Sequence, residues 1–267
     1  MRSHRLCVLV IAAAALAALG LDGCSGIGSI GPSGNSTSQV RAVNGLQGCP
    51  AIDIEQLNVA PVQFPNVQAG VAPGAYTSVR SGLGLHYGVF QMGSMANPLA
   101  LADVDLQPHD AAGNANTGTY TLVATGTCSG AVGSTAPQLV RLVDAFPFNF
   151  TGSAANTVAI RVINLVPDVG GGITLDINGA SIHGTDDLGT NSVAYAGTAN
   201  LDNSHYNEVS AIPSGATLTI RSSSNTVLAT APSFSFLPNH AYTLFVIGEV
   251  HPSAGGTAIM VVPVEDF

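Results

Sequence analysis

The stretch Thr119-Tyr120-Thr121-Leu122-Val123-Ala124-Thr125-Gly126 returns near the end of the chain as Ala241-Tyr242-Thr243-Leu244-Phe245-Val246-Ile247-Gly248. Moving outward from each, Val40-Arg41-Ala42-Val43-Asn44 matches Ile160-Arg161-Val162-Ile163-Asn164, and Ala51-Ile52-Asp53-Ile54 matches Thr174-Leu175-Asp176-Ile177. Tyr76 matches Tyr206, and the closing runs Leu139 to Phe146 and Met260 to Phe267 end alike, on an acidic residue shortly before Phe. Self-similarity in fixed order is the mark of a duplicated structural unit. It divides the chain into copy one (39–146), a short polar linker (147–157) that starts with Pro, and copy two (158–267). Each copy has the size of a domain that can bury its own core.

Within a copy, seven or eight short apolar or alternating segments are separated by turn clusters such as Pro73-Gly74 and Asn178-Gly179. That spacing predicts an all-β fold of two tandem immunoglobulin-like β-sandwich domains, preceded by a signal peptide and a flexible tether. Segments such as Tyr242 to Ile247 are apolar on both faces and belong in the centre of a sheet. An eight-stranded outer-membrane barrel is the structural rival, because the chain ends in Phe267 after a β-like run. Phe146 holds the same place in mid-chain, so the aromatic ending belongs to the repeat.

Composition narrows the function classes. At 46% hydrophobic and 9% charged residues the chain is too apolar to remain disordered. Seven arginines, no lysine and a formal charge of −9 leave no basic patch to neutralise phosphate, which excludes nucleic acid and anionic lipid as main partners. The N-terminus reads as an address: Arg2 and Arg5 precede the apolar run Leu6 to Leu19, a signal-peptide pattern too short to span a bilayer comfortably. Leu21-Asp22-Gly23-Cys24 resembles the lipobox of bacterial lipoproteins, with Asp22 standing where a small or apolar residue is usual. The resemblance implies a signal peptide over 1–23 and lipid attachment, of the palmitate type, at Cys24. Ser25 is compatible with sorting to the outer membrane. Residues 24–38 form a Gly/Ser-rich tether; its Gly26 to Gly31 spells G-x-G-x-x-G with no strand before it or helix after it, so a dinucleotide role is not expected.

The order of signals, V-R-x-x-N, an apolar strand with a central Asp, and Y-T-L-x-x-x-G, resembles the bacterial envelope family known as domain of unknown function 4397. Arg41, Asn44, Asp53, Tyr120 and Gly126 carry it in copy one, and Arg161, Asn164, Asp176, Gly215, Tyr242 and Gly248 in copy two. The resemblance implies an exported, often lipid-anchored immunoglobulin-like sandwich, commonly in tandem, without an established activity.

Residues able to carry chemistry are few. Cys7 falls in the leader and Cys24 at the lipobox, leaving Cys49 and Cys128, both in copy one and both lacking a counterpart in copy two. Two cysteines present together in an exported protein predict a disulfide, contributing roughly 4 kcal/mol by chain-entropy arguments. Arg41 with Asp53, and Arg161 with Asp176, are the opposite charges repeated in both copies; on successive strands they are expected to form cross-strand ion pairs. His86, His109, His183, His205, His240 and His251 lack metal-ligand spacing, and the clusters Asp103/Asp105/Asp110 and Asp186/Asp187 lack a calcium-loop pattern, so no metal and no cofactor is expected. There is no G-x-S-x-G, H-E-x-x-H or S-x-x-K. The insertion Gln107 to Gly118 is the candidate recognition loop of copy one.

These signals point to a non-enzymatic cell-envelope lipoprotein: a spacer, adhesive or binding module, held to the membrane through its N-terminal lipid, with an envelope glycan or protein as candidate partner. The alternatives are a carboxylate-dependent carbohydrate-active hydrolase, whose two acids need not be close in sequence, and an accessory subunit of an envelope assembly.

Overall fold

The computed structural model describes residues 37–107, 118–128, 135–144, 157–178, 180–182, 192–196, 206–210, 214–252 and 256–266. From Thr37 on, the chain is one compact unit. It is all-β, with no helix among the described residues. The first half contributes β1 (Thr37–Gln47), β2 (Ala51–Gln56), β3 (Phe64–Gln68), β4 (Thr77–Arg80), β5 (Gly82–Gln91), β6 (Ala100–Leu106), β7 (Thr119–Thr127) and β8 (Gln138–Val143). The second contributes β9 (Thr157–Asn164), β10 (Ile173–Ile177), β11 (Ala180–Ile182), β12 (Asn207–Ser210), β13 (Ala216–Ser222), β14 (Val227–Phe234), β15 (Ala241–Ile247) and β16 (Met260–Glu265).

These strands fall into four four-stranded sheets rather than one closed barrel. The first half forms β4-β1-β7-β8 and β3-β2-β5-β6; the second forms β12-β9-β15-β16 and β11-β10-β13-β14, the same order strand for strand. In both halves the first strand runs parallel to the seventh, with Arg41 opposite Thr121 and Arg161 opposite Thr243. Each half closes around a core from its two facing sheets: Val40, Ala42, Ile52, Ile54, Tyr87, Val89 and Leu122 in one, Ile160, Val162, Leu175, Leu218, Ile220 and Leu244 in the other. Two-layer packing of this kind is what a sheet with one apolar face requires.

The repeated tyrosine has a defined task. Its ring lies in the core while the hydroxyl reaches backbone at the edge: Tyr120 donates to the Gln107 carbonyl and accepts from the Gln107 amide, and Tyr242 accepts from the Leu237 amide. The repeated asparagine folds the chain off the end of the first strand. The Asn44 carbonyl oxygen accepts from the Leu46 amide and that of Asn164 from the Val166 amide, while their amide groups bond Val67 and Val193 carbonyls.

One buried polar atom has no partner among the described residues, the Tyr87 hydroxyl. Burial pushes it up to about 12. An unsatisfied buried hydroxyl costs about 1–3 kcal/mol. Tyr87→Phe is therefore expected to stabilise the chain by about 1–2 kcal/mol, read as a higher urea midpoint at unchanged slope; a lower midpoint would refute it.

Candidate functional site

The two inner sheets are apolar on both faces because they meet. Along β1, Val40 and Ala42 point into the first half's own core, whereas Arg41 and Val43 point to the second half; β7, β9 and β15 alternate in the same way. Val43, Val123 and Leu142 thereby pack on Ile163, Leu165, Phe245, Ile247, Val262 and Val264 in a third core between the halves. The architecture is four layers deep.

At the centre of that interface lie four buried charges. The Arg161 guanidinium donates to Asp144 at 2.8 Å, to the Val143 carbonyl at 2.8 Å and to the Thr243 hydroxyl. Its counterpart Arg41 donates to Asp266 and to the Thr121 hydroxyl and lies 3.8 Å from Asp144. Each arginine thus reaches across to the carboxylate that closes the other half. Around them Thr121 donates to Asp144 and Thr243 to Asp266, both at 2.6 Å, and Tyr76 and Tyr206 donate to the same two carboxylates. The Tyr76 and Tyr206 rings lie under the guanidinium groups at 4.7 and 4.6 Å. Every member has its counterpart in the other half, so the cluster repeats the duplication of the chain.

The electrostatics follow. Burial works against the charge on Arg161, but Tyr206, Asp144 and Asp266 outweigh it and raise its pKa above the ordinary guanidinium value. Arg41 is held up in the same sense, burial being overcome by Asp144 and Asp266. Desolvation, reinforced by the carboxylates, raises Tyr76 and Tyr206 well beyond the usual phenol range. All four charged side chains are at most 4% exposed. Two positive and two negative charges, held by hydrogen bonds across the interface, form a clasp.

No family model matches the chain, and no curated protein matches it.

The expected pairs Arg41–Asp53 and Arg161–Asp176 are corrected by this geometry. The turn after β1 carries the chain into the opposite sheet, so β1 and β2 are not neighbours, nor are β9 and β10. The arginines point to the interface and the aspartates to the far outer faces. Asp53 accepts from the Asn66 and Gly93 amides, and Asp176 pairs with Arg221 at 2.6 Å. Sequence reasoning missed Asp144, Asp266, Thr121 and Thr243. The signal was present in the matched acidic endings and the repeated Tyr-Thr, but it identifies no partner without knowledge that the halves meet.

The Cys49–Cys128 disulfide joins the ends of β1 and β7, its Cα atoms 5.6 Å apart. In the second half, Val169 and Val250 stand in the corresponding places and pack into the core. His86 pairs with Asp103, and His240 with Glu265, at exposed positions. Cys24, tether residues 24–36, His109, Asp110, His183, Asp186, Asp187, His205 and most of the Gln107–Gly118 loop lie outside the described residues, whereas Thr37 and Ser38, expected to end the tether, already belong to β1 and pair with β4. A cleft of about 80 Å³ lies between the halves beside Gln47, Cys49, Gly248 and Glu249, and a cavity of about 290 Å³ lies beside Arg41, Phe64 and Pro73. Neither of these two is lined by a facing pair of carboxylates.

Proposed function

We propose that this chain is an exported envelope lipoprotein whose lipid at Cys24 and tether hold out a rigid pair of immunoglobulin-like modules, of the envelope family it resembles, as a non-enzymatic spacer or docking element. The observation that carries the reading is the crossed clasp of Arg41, Arg161, Asp144 and Asp266. Modules joined only by a linker move freely unless their interface is large and apolar. Here an apolar layer surrounds a charge cluster whose partners fix one relative orientation, and a fixed two-module body suits holding a surface at a set distance and angle.

A protein partner is favoured over a glycan. The exposed large apolar side chains among the described residues are Val, Leu and Met, aliphatic groups of the kind a protein surface packs against.

Two measurements test it. Cys24→Ala is expected to move the protein from the membrane fraction to the soluble envelope fraction; continued membrane association would overturn the anchor. Crosslinking of the anchored wild type is expected to capture an envelope protein, and glycan arrays to stay blank; a saccharide ligand with turnover would overturn the non-enzymatic reading.

A further inference from the structure

The disulfide sits at a second junction between the halves, away from the charge clasp. Gln47, the last residue of β1, sends its side-chain amide across to the Gly248 carbonyl at 2.9 Å and to Asp168 at 3.0 Å. Asp168 in turn accepts from the Val250 amide at 3.0 Å. On the first half's side, the Cys128 amide donates to the Gln47 carbonyl at 2.9 Å, and the Asn44 amide group holds the Cys49 carbonyl at 3.0 Å. The residues that bridge the halves here are therefore pinned between Cys49 and Cys128. Both Gln47 and Cys49 line the cleft.

The second half makes the same corner without sulfur, using Val169 and Val250 packed into its core. The turn itself does not require a covalent bond. What sets the first half apart is that its corner extends Gln47 across the junction, whereas Pro167, at the corresponding place in the second half, has no side-chain donor to return the contact.

We propose that the Cys49–Cys128 disulfide is a redox-gated latch: oxidised, it holds Gln47 on Gly248 and Asp168; reduced, it releases that end of the junction while the Arg–Asp clasp keeps the halves together. The chemistry is exchange with a dithiol. A thiolate of the reductant attacks the sulfur of Cys128, the less buried of the two cysteines, and the Cys49 thiolate leaves and takes up a proton. The reductant's second thiol then attacks its own sulfur in the mixed disulfide and expels the Cys128 thiolate. The protein gains two thiols and the dithiol becomes a disulfide.

Hydrogen exchange on the full chain, oxidised or held in dithiothreitol, reads the latch. Reduction is expected to speed exchange at least about tenfold at residues 46–50 and, across the junction, at 248–250, with the interiors of β9, β10 and β13 unchanged. Cys49→Ser/Cys128→Ser should reproduce the reduced pattern without reductant. In Gln47→Ala, reduction should still loosen 46–50 but add nothing at 248–250. The proposal is overturned if reduction loosens only the first half, if it changes nothing, if it unfolds both halves together, or if Gln47→Ala leaves the cross-junction response intact.

Discussion

Arg161→Met is expected to destabilise the chain by about 3–5 kcal/mol, lowering its melting temperature by roughly 6–20 °C. Methionine matches much of the aliphatic length of arginine, so the loss does not come from an empty core. It comes from Asp144, which keeps Arg41 only at 3.8 Å and loses its 2.8 Å partner in a site without solvent. A buried carboxylate deprived of its cation is among the costliest single defects in a folded protein. Replacing Asp144 by Asn in the same chain removes the uncompensated charge, so the double variant should be less destabilised than the sum of the two singles. Thermal melts of the four proteins check both statements. Additive losses would show that Arg161 and Asp144 act independently and that the clasp is not a unit. The expectation also separates two roles: buried ion pairs contribute little net stability compared with apolar residues of similar shape, so what the clasp contributes is the choice of a single docking orientation.

How far this was legible in the sequence depends on the range of each interaction. That the two halves share one strand arrangement was readable from the duplication, though not what that arrangement is: Val40 to Asn44 returns as Ile160 to Asn164, and the two runs occupy β1 and β9 in the same sheet position. The disulfide was readable because both its cysteines are missing from the other copy. The charge pairs were not. Arg41 and Asp53 are near in sequence and opposite in sign, but the turn after β1 sends β2 to the opposite sheet, and period-two alternation then places the two side chains on the faces turned away from the shared core. The apolar double face of Tyr242 to Ile247 was read as a central strand. It is one, between β9 and β16, yet centrality within a sheet does not bury both faces; the second face is covered because the other half lies on it, with Phe245 and Ile247 in the inter-half core. A periodicity argument sees that a face is apolar and carries no information on what covers it.

Gly248→Ala is the second large effect, expected to cost roughly 2–6 kcal/mol. Gly248 closes the repeated Tyr-Thr-Leu signature at a φ of +113°, close to the +109° of Gly126 in the first half. Two penalties coincide there. The conformation lies in a region that side-chain-bearing residues rarely adopt, and a Cβ on Gly248 would stand 2.5 Å from the Ala258 carbonyl oxygen, which is backbone and cannot swing aside. That close approach is what lets the Glu249 amide reach the Thr257 carbonyl and hold the last turn against the end of β15. Gly215 supplies the control. It too has a positive φ, +75°, but the nearest atom to its Cβ would be 4.0 Å away, on the Ser233 side chain. Gly215→Ala therefore carries only the conformational penalty, about 1–2 kcal/mol. Chemical denaturation of the two variants separates the terms: Gly248→Ala should lose clearly more than Gly215→Ala, and Gly126→Ala should fall with Gly248→Ala because the Ala136 carbonyl stands in the same place in the first half. Equal losses at Gly215 and Gly248 would mean that backbone approach plays no part and that the repeated glycine is kept for its φ alone.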